Sequence, residues 1–169
     1  LLKYLNFKIV LKVILNYLKI LFKSSILFKI KNSFVPENSN INFWYLLKND
    51  FLNSIIGPKL IENLLWIELF DSAMKKIPHQ KKGIYLQENQ GWQFGLIQAW
   101  KAKEHGTLIG VPHSTLSFWD LRFFFNIRSY TGNISKQLSR PDRVAVNGKA
   151  ARNSYLQGGY PKNELVDVE

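Results

Sequence analysis

Short apolar segments alternate with helical patterns from residue 83 to residue 168, and this alternation constrains the fold more than any other feature. Apolar runs bounded by glycine, proline or polar residues are typical of buried strands. Four such runs occur, at residues 83–86, 107–111, 143–146 and 165–168. Because helical patterns separate the strands at this spacing, they predict a parallel sheet with right-handed crossovers. We therefore expect an α/β, Rossmann-like domain over residues 83–169.

The helical patterns in this part of the chain cover residues 92–103 and 149–157. Gly106 follows the first of them closely and is expected to cap its carboxyl end, where glycine is favoured. Upstream, residues 43–53 and 59–76 have helical periodicity and are separated by Gly57 and Pro58. Residues 43–82 are therefore predicted to form a helical layer, joined to the first part of the chain by a polar linker over residues 32–42.

The first 31 residues carry seven lysines and no acidic residue within a strongly apolar sequence. A membrane-spanning helix needs about 20 nearly uninterrupted apolar residues, and a signal peptide keeps its positive charge ahead of its apolar stretch. Lysine interrupts this segment throughout, so neither description fits. At about 100° per residue, the polar side chains share an arc of about 80°. They are Lys8, Lys12, Asn16, Lys19 and Lys23. We therefore predict a basic amphipathic helix over residues 1–31.

The wide apolar face of this helix has three candidate partners. It can pack on the rest of the protein and leave the lysines in water, it can lie on an anionic membrane surface, or its charge can serve nucleic-acid binding. The first two alternatives are compatible within one protein. We expect contact with protein or an anionic membrane surface, and no nucleic-acid partner.

Composition narrows the class of protein further. The chain of 169 residues is 46% hydrophobic and 21% charged, unlike a disordered chain. It contains no cysteine, which excludes disulfides and thiolate metal sites and fits a reducing compartment such as the cytoplasm. Since the sequence begins with Leu1 and ends within an apolar run, we expect it to be a fragment of a longer protein.

Ligands of open parallel sheets bind beyond the carboxyl ends of the strands, so the residues directly after each predicted strand are the candidates for chemistry. Three such corners occur, at residues 87–90, 112–115 and 147–149. Glu88 in the first corner has two interpretations. It can serve as a general base or bind an acceptor hydroxyl, or its charge can cap the N-terminus of the following helix. Asn89 and Gln90 beside it are interpreted first as turn and cap residues.

His113 in the second corner is the sharper catalytic candidate, because imidazole titrates near neutral pH and can take a proton from an attacking hydroxyl. The hydroxyls of Ser114 and Thr115 flank it, and Asn147 occupies the third corner. The aromatic loop over residues 118–125 suits packing or a partner surface, although Trp119 is suited to stack on a sugar ring. His79 and His105 are interpreted as structural. The chain has no GxGxxG, P-loop, HExxH or GxSxG motif, so it shows no nucleotide-phosphate site.

Three stretches of the chain carry a family resemblance. The central one is YLQENQGWQFGLIQAWKAKEHGTLIGVPHSTLSFWDLRFF. It is similar to the Tyr-Leu-x-Glu-Asn-Gln-x-Trp-Glu corner, Ala-Trp helix and Gly-Val-x-His-Ser strand end of the bacterial surface carbohydrate biosynthesis proteins. The others are LLKNDFLNSIIGPKLIENLLWIELFD before it and PDRVAVNGKAARNSYLQGGYP after it. Together they cover most of residues 46–169. The chain departs from the pattern at Gln93, where the family has an acidic residue.

The resemblance implies a GT-B glycosyltransferase, in which two Rossmann-like domains face each other across a cleft. It assigns functional positions to the residues that match the family's motifs, namely Glu88, Asn89, Gln90, Trp92, His113 and Ser114. We expect a metal-independent sugar transfer to a glycan or lipid-linked acceptor, with the nucleotide-sugar donor bound in a further carboxyl-terminal domain and no cofactor in this chain. The alternative is a non-catalytic, membrane-associated scaffold protein in polysaccharide assembly. Either protein is expected in the cytoplasm or on the inner face of the membrane.

Overall fold

A computed structural model describes residues 1–35, 40–113, 123, 127–131 and 138–168. The helices and strands follow in the order α1 (Phe7–Leu27), α2 (Trp44–Ile55), α3 (Pro58–Lys76), β1 (Lys82–Gln87), α4 (Gly91–Ala102), β2 (Thr107–Pro112), β3 (Arg143–Val146), α5 (Lys149–Gln157) and β4 (Leu165–Asp167). The chain forms two compact units, Leu1–Leu69 and Phe70–Glu169, and the division falls within α3. The two units are described separately below.

Helix α1 of the first unit is shorter than the helix predicted over residues 1–31. Asn6 has an extended backbone, and its side chain accepts a hydrogen bond from the backbone N–H of Ile9, so the α-helix begins at Phe7. Short 3-10 helices flank α1 at Leu2–Tyr4 and Phe28–Phe34. No helix in the described ranges has both the length and the apolar continuity that crossing a bilayer requires.

Helix α1 packs on α3 through a small apolar core. Its buried members are Ile9, Val13, Leu60, Leu64 and Leu69. Two polar contacts accompany this core: the hydroxyl of Tyr17 donates to the carbonyl of Ile56 at 2.8 Å, and Lys12 Nζ lies 3.0 Å from Glu68 Oε2. Helix α1 therefore has one face that is fixed by apolar packing and by polar contacts.

Helix α2 is held by an aromatic cluster that includes the 3-10 helix after α1. The ring of Trp44, which is 5% exposed, lies 5.6 Å from that of Phe34 and 5.1 Å from that of Phe51. The predicted break between α2 and α3 is also present. At this break Asn53 Oδ1 accepts a hydrogen bond from the backbone N–H of Lys59 at 3.2 Å.

The second unit contains a four-stranded sheet in the order β1-β2-β3-β4, and every neighbouring pair is parallel. The predicted parallel arrangement of these four segments is therefore confirmed, with strand ends that differ by one residue at most. Together with its helices, the sheet makes this a mixed α/β unit. Helices α4 and α5 lie in the β1–β2 and β3–β4 connections, which is the alternation that the sequence predicts.

Both helices pack on the same face of the sheet. Trp100 of α4 lies over Gly83, where an added Cβ would come within 2.5 Å of the indole ring. Tyr155 of α5 packs with Val144 and Leu165, which are partners in the register of β3 and β4. On the opposite face Ile84 of β1 remains 73% exposed, whereas Ala145 of β3 is buried, so this face is open at β1 and covered at β3.

The expectation that Gly106 caps α4 is wrong. The helix ends at Ala102, Lys103 is the cap residue, and the left-handed residue that follows is Glu104, with φ 54°. Gly106 serves a different purpose: it donates its N–H to the carbonyl of Gln80 at 2.7 Å, and a Cβ at this position would overlap the backbone oxygen of Lys81. Glycine is needed here because two backbone segments pass too closely for a side chain.

Candidate functional site at the carboxyl edge of the sheet

The carboxyl ends of β1 and β2 lie side by side and bring Glu88 next to His113. Gln87 pairs with Pro112 in the register of the two strands, and Glu88 and His113 directly follow them. The Glu88 Oε1 atom lies 3.4 Å from Nδ1 of His113. The two side chains are 27% and 43% exposed, so a ligand has access to both from solvent. Two residues from separate predicted corners thus form one carboxylate–imidazole pair.

The backbone at Glu88 is fixed from below by Gln93, in the first turn of α4. Gln93 Oε1 accepts a hydrogen bond from the backbone N–H of Glu88 at 3.0 Å, and its Nε2 donates to the carbonyl of Leu86 at 2.8 Å. The side chain is 1% exposed, so both bonds are shielded from water. Because the same amide donates on one side and accepts on the other, Gln93 holds the end of β1 in one conformation.

A second buried glutamine supports the turn that follows β1. Gln87 is 2% exposed, and its Nε2 donates to Asn89 Oδ1 at 3.1 Å. Asn89 has φ 53°, a left-handed conformation that asparagine tolerates better than most residues. Gly110 of β2 makes room for the amide, since a Cβ there would lie 2.6 Å from Gln87 Oε1. Asn89 therefore has the turn role that its residue type suggests.

Helix α4 begins just beyond this turn, with Gln90 as its N-cap residue and without a side-chain capping bond. Glu88 lies two residues before this N-cap, so its interpretation as a negative charge near the helix N-terminus stays open beside the catalytic one. The Oε2 atom of Glu88 accepts a hydrogen bond from Gln90 Nε2 at 3.3 Å, while Oε1 lies against His113. The carboxylate is thus held between an amide and an imidazole.

The third predicted corner lies at the end of β3. Asn147 is exposed there, and Gly148, with φ 118°, is the N-cap residue of α5. A cavity of about 340 Å³ adjoins this corner and is lined by Gly148, Lys149, Arg152 and Asp167. Arg152 Nη1 contacts Asp167 Oδ1 at 3.0 Å, which places an ion pair in the wall of the cavity. Asn147 shares the carboxyl edge with Glu88 and His113, but β2 separates β3 from β1.

Trp92 lies in the first turn of α4 beside Gln93. Its ring stacks on that of Phe70, with centroids 6.2 Å apart and planes inclined by 24°. This contact uses the ring for packing in the second unit. Three other predicted substrate-binding residues, Ser114, Thr115 and Trp119, lie outside the residues that the structure describes.

His105 has a structural role, as the sequence predicted. Its Nδ1 accepts a hydrogen bond from the backbone N–H of Gln80 at 3.1 Å, and its ring lies 4.7 Å from that of Trp100. The ring of His79 stacks against it at 6.0 Å. His79 precedes β1 and His105 precedes β2, so both lie near the amino ends of the strands. His113 instead follows β2 and meets a carboxylate at the carboxyl ends.

The chemistry available at the edge follows from the Glu88–His113 pair. A carboxylate beside Nδ1 favours the tautomer that carries its proton on that nitrogen, and it leaves Nε2 able to accept a proton from a ligand. The 3.4 Å separation is long for a hydrogen bond, but catalytic contacts commonly shorten when substrate binds. Across the described ranges, no group of three or more His, Asp or Glu side chains is placed to hold a metal ion.

The sequence places Gln87 in the first corner without assigning it a role, and it does not predict that Gln93 contributes to this edge. Gln87 ends an apolar run in β1, Gln93 lies between Trp92 and Phe94 in α4, and each is almost completely buried. A buried polar side chain has to find hydrogen-bond partners, so a glutamine within an apolar strand or the inner face of a helix is the signal that was available. The resemblance marks Gln93 only as a departure from a family pattern.

Comparison with protein-family models, with curated proteins and with solved structures finds no match to this chain. The functional interpretation therefore depends on the geometry of the carboxyl edge and on the residues that occupy it.

Proposed function

We propose that this chain is the acceptor-side domain of a GT-B-like glycosyltransferase that transfers sugar from a nucleotide-sugar donor during surface carbohydrate biosynthesis. The observation that carries the proposal is the contact between Glu88 and His113 at the carboxyl edge of a parallel sheet. Open parallel sheets bind their ligands at this edge, and a carboxylate–imidazole pair there is suited to activate a hydroxyl group. The four parallel strands with helices in two connections support a Rossmann-like domain of this type.

In the proposed reaction His113 is the general base and Glu88 its positioning residue. His113 Nε2 takes the proton of an acceptor hydroxyl while that oxygen forms a bond to the anomeric carbon of the donor sugar. The bond from the anomeric carbon to the phosphate oxygen breaks, and the nucleoside diphosphate leaves with the bonding electron pair. The Glu88 carboxylate stabilises the imidazolium that forms. No metal ion is required for this proton transfer.

Gln93 and Gln87 contribute indirectly, because they fix the backbone on which Glu88 is mounted. The amide of Gln93 holds Leu86 and Glu88, and the amide of Gln87 holds Asn89. Catalytic groups act only when they are held within about 0.5 Å of their productive positions, so a buried amide under the strand end is a suitable support. Under this proposal the donor nucleotide is bound by a second domain, and the present chain binds the acceptor.

The test is sugar transfer by the full-length protein that contains this chain, measured with a panel of nucleotide sugars and purified acceptor glycolipids. His113→Ala should lower kcat by about 10² to 10⁴, the range for loss of a general base. Glu88→Gln should cause a smaller loss, and Glu88→Asp should recover part of it. His79→Ala is the matched control, because His79 is also exposed but lies before β1; its kcat should be unchanged.

Circular dichroism of each variant verifies that the fold is retained, as expected for side chains that are partly or largely exposed. An unchanged kcat in His113→Ala would remove this residue from the mechanism. If the wild-type protein neither transfers nor hydrolyses any donor in the panel, the second candidate function becomes the better one. That function is a non-catalytic, membrane-associated scaffold in polysaccharide assembly, and the apolar and basic surface of helix α1 is the observation that favours it.

A further inference from the structure

Helix α1 has two apolar stripes, and the first unit buries only one of them. The buried stripe contains Ile9 and Val13, with Tyr17 and Ile20 partly buried beside them, and it packs on α3. At about 100° per residue these four side chains lie within an arc of about 80°. The buried stripe therefore accounts for the packing of α1 on α3 within the unit.

The second stripe is on the other side of the helix and is exposed. Its exposed fractions reach 81% for Phe7 and 86% for Phe22, the largest values among the large hydrophobic side chains of the described residues. The stripe consists of Phe7, Leu11, Ile14, Leu15, Leu18 and Phe22. These side chains span an arc of about 100°, and its centre lies roughly 150° from the centre of the buried stripe. A continuous apolar stripe of this kind is uncommon on a surface that faces only water.

Four lysines occupy the sector between the two stripes. Lys8, Lys12, Lys19 and Lys23 lie within an arc of about 60° that adjoins the exposed stripe, and all four are exposed. Residues 1–35 contain no acidic residue, and the one acidic partner described for these four lysines is Glu68 of α3, which pairs with Lys12. Lysine stems can extend along an apolar surface while the ammonium groups reach a polar layer beside it. The exposed stripe and its lysine border therefore match an interface with an apolar side and an anionic side.

A groove between α1 and α3 adds a second apolar feature next to the same lysines. It has a volume of about 510 Å³ and is lined by Asn16, Lys19, Ile20, Lys23, Ile26, Leu27 and Leu64. Its floor is apolar, and Lys19 and Lys23 contribute its charge. An acyl chain beside a phosphate group presents the complementary pattern.

We propose that the outer stripe of α1, together with Lys8, Lys19 and Lys23, binds the surface of an anionic phospholipid bilayer with the helix lying in the plane of the membrane. The apolar side chains enter the boundary between headgroups and acyl chains, and the lysines contact lipid phosphates. Docking leaves the contact between α1 and α3 intact, because the two stripes are separate. Nucleic acid does not explain the stripe, since a phosphate backbone offers nothing to cover Phe7 and Phe22.

The test is co-sedimentation of the full chain with vesicles of phosphatidylglycerol and phosphatidylcholine, compared with vesicles of phosphatidylcholine alone. Each lysine near an anionic surface contributes about 1 kcal/mol, or about fivefold in affinity. Lys8→Gln/Lys19→Gln/Lys23→Gln should therefore weaken binding to the anionic vesicles about a hundredfold. High salt should weaken wild-type binding in the same direction, because it screens the charges.

The apolar contribution is tested with Phe7→Ser/Phe22→Ser, which should weaken binding to anionic vesicles at least tenfold. Tyr45→Ser/Leu46→Ser is the matched control, because these α2 side chains are 76% and 74% exposed in the same unit. The control should bind like the wild type. Both pairs of side chains are exposed, so each variant should keep its circular dichroism spectrum and thermal midpoint.

Three results would overturn the proposal. Equal binding to neutral and anionic vesicles would show that the lysines take no part, and absence of binding to both would show that the stripe has another occupant. A dimer detected by sedimentation velocity in lipid-free buffer, and lost in Phe7→Ser/Phe22→Ser, would identify that occupant as a second copy of the chain. Since vesicle binding is measured without any enzyme assay, it can succeed or fail independently of sugar transfer.

Discussion

Replacing Gln93 with glutamate should make the stability of the sheet unit depend strongly on pH. The wild-type amide donates to the Leu86 carbonyl at 2.8 Å and accepts from the Glu88 N–H at 3.0 Å, in a position that is 1% exposed. A protonated carboxyl group has the same donor and acceptor pattern, so it can form both bonds. An ionised carboxylate has only acceptors, and one of its oxygens would face the Leu86 carbonyl without a proton between them.

The magnitude follows from these two states. Burial and the facing carbonyl both disfavour the ionised form, so the pKa of the introduced carboxyl in Gln93→Glu should be raised by about two units from its ordinary value of about 4.3. Each unit corresponds to about 1.4 kcal/mol. A raised folded-state pKa gives stability that is complete below about pH 4.3 and is lost as the pH rises through about 6.3. The free energy of unfolding of Gln93→Glu should therefore be nearly equal to that of the wild type at pH 4 and about 3 kcal/mol lower at pH 7.5.

The measurement is urea unfolding of wild type and variant at matched pH values, so that the other titrating groups cancel in the difference. Gln93→Met is the control, because it removes both hydrogen bonds at every pH and should lower the free energy of unfolding by about 3 kcal/mol throughout. If Gln93→Glu were as stable as the wild type at pH 7.5, or if its deficit did not change with pH, the assigned hydrogen bonds would be wrong.

Two further substitutions test contacts in the same unit, both by urea unfolding at neutral pH. Gly106→Ala should lower the free energy of unfolding by about 2 to 3 kcal/mol. The new methyl group overlaps the backbone of Lys81, and neither segment can move away without losing hydrogen bonds. A decrease below about 0.5 kcal/mol would contradict this close approach. Arg140→Lys should lower the free energy of unfolding by about 1 to 2 kcal/mol. Arg140 binds Glu164 through two parallel hydrogen bonds of 2.8 Å, and lysine keeps the charge but not the paired geometry. Equal stability of variant and wild type would show that charge alone matters.

The sheet was predictable because its signals are local and repeated. Each strand is a short apolar run with polar residues on both sides, and α4 and α5 separate the strands at a spacing that only a crossover connection explains. Parallel pairing then follows from chain geometry, and it places the residues after each strand at one edge. The positions of Glu88 and His113 at neighbouring strand ends could therefore be derived without a structure.

The contacts within that edge were not predictable, because they depend on side-chain direction. Periodicity identifies α4 as a helix, but it does not show that Gln93 turns inward and bonds to the carbonyl of Leu86 and the N–H of Glu88. The prediction that Gly106 caps α4 was wrong for a related reason. A glycine near a helix end usually marks the left-handed cap residue, whereas here Glu104 adopts that conformation and Gly106 is required by a close backbone approach.

Helix α1 shows a third limit of sequence patterns. A helical wheel gives one wide apolar face opposite a narrow basic one, and it cannot show how much of that face the protein covers. In the structure α3 covers the part around Ile9 and Val13, and the part around Phe7 and Phe22 stays exposed. Packing on protein therefore involves one stripe of the helix, and the membrane contact that we propose would involve the other.

This separation means that the membrane proposal and the catalytic proposal depend on different parts of the chain. The exposed stripe lies within the unit that ends at Leu69, whereas Glu88 and His113 lie in the unit that begins at Phe70. Substitutions with no shared contacts usually have additive effects, so removing the stripe should leave the chemistry of the pair unchanged on a water-soluble acceptor. A loss of transfer that appears only with acceptors embedded in a bilayer would then reflect access to the acceptor, because the proton transfer at His113 needs no membrane.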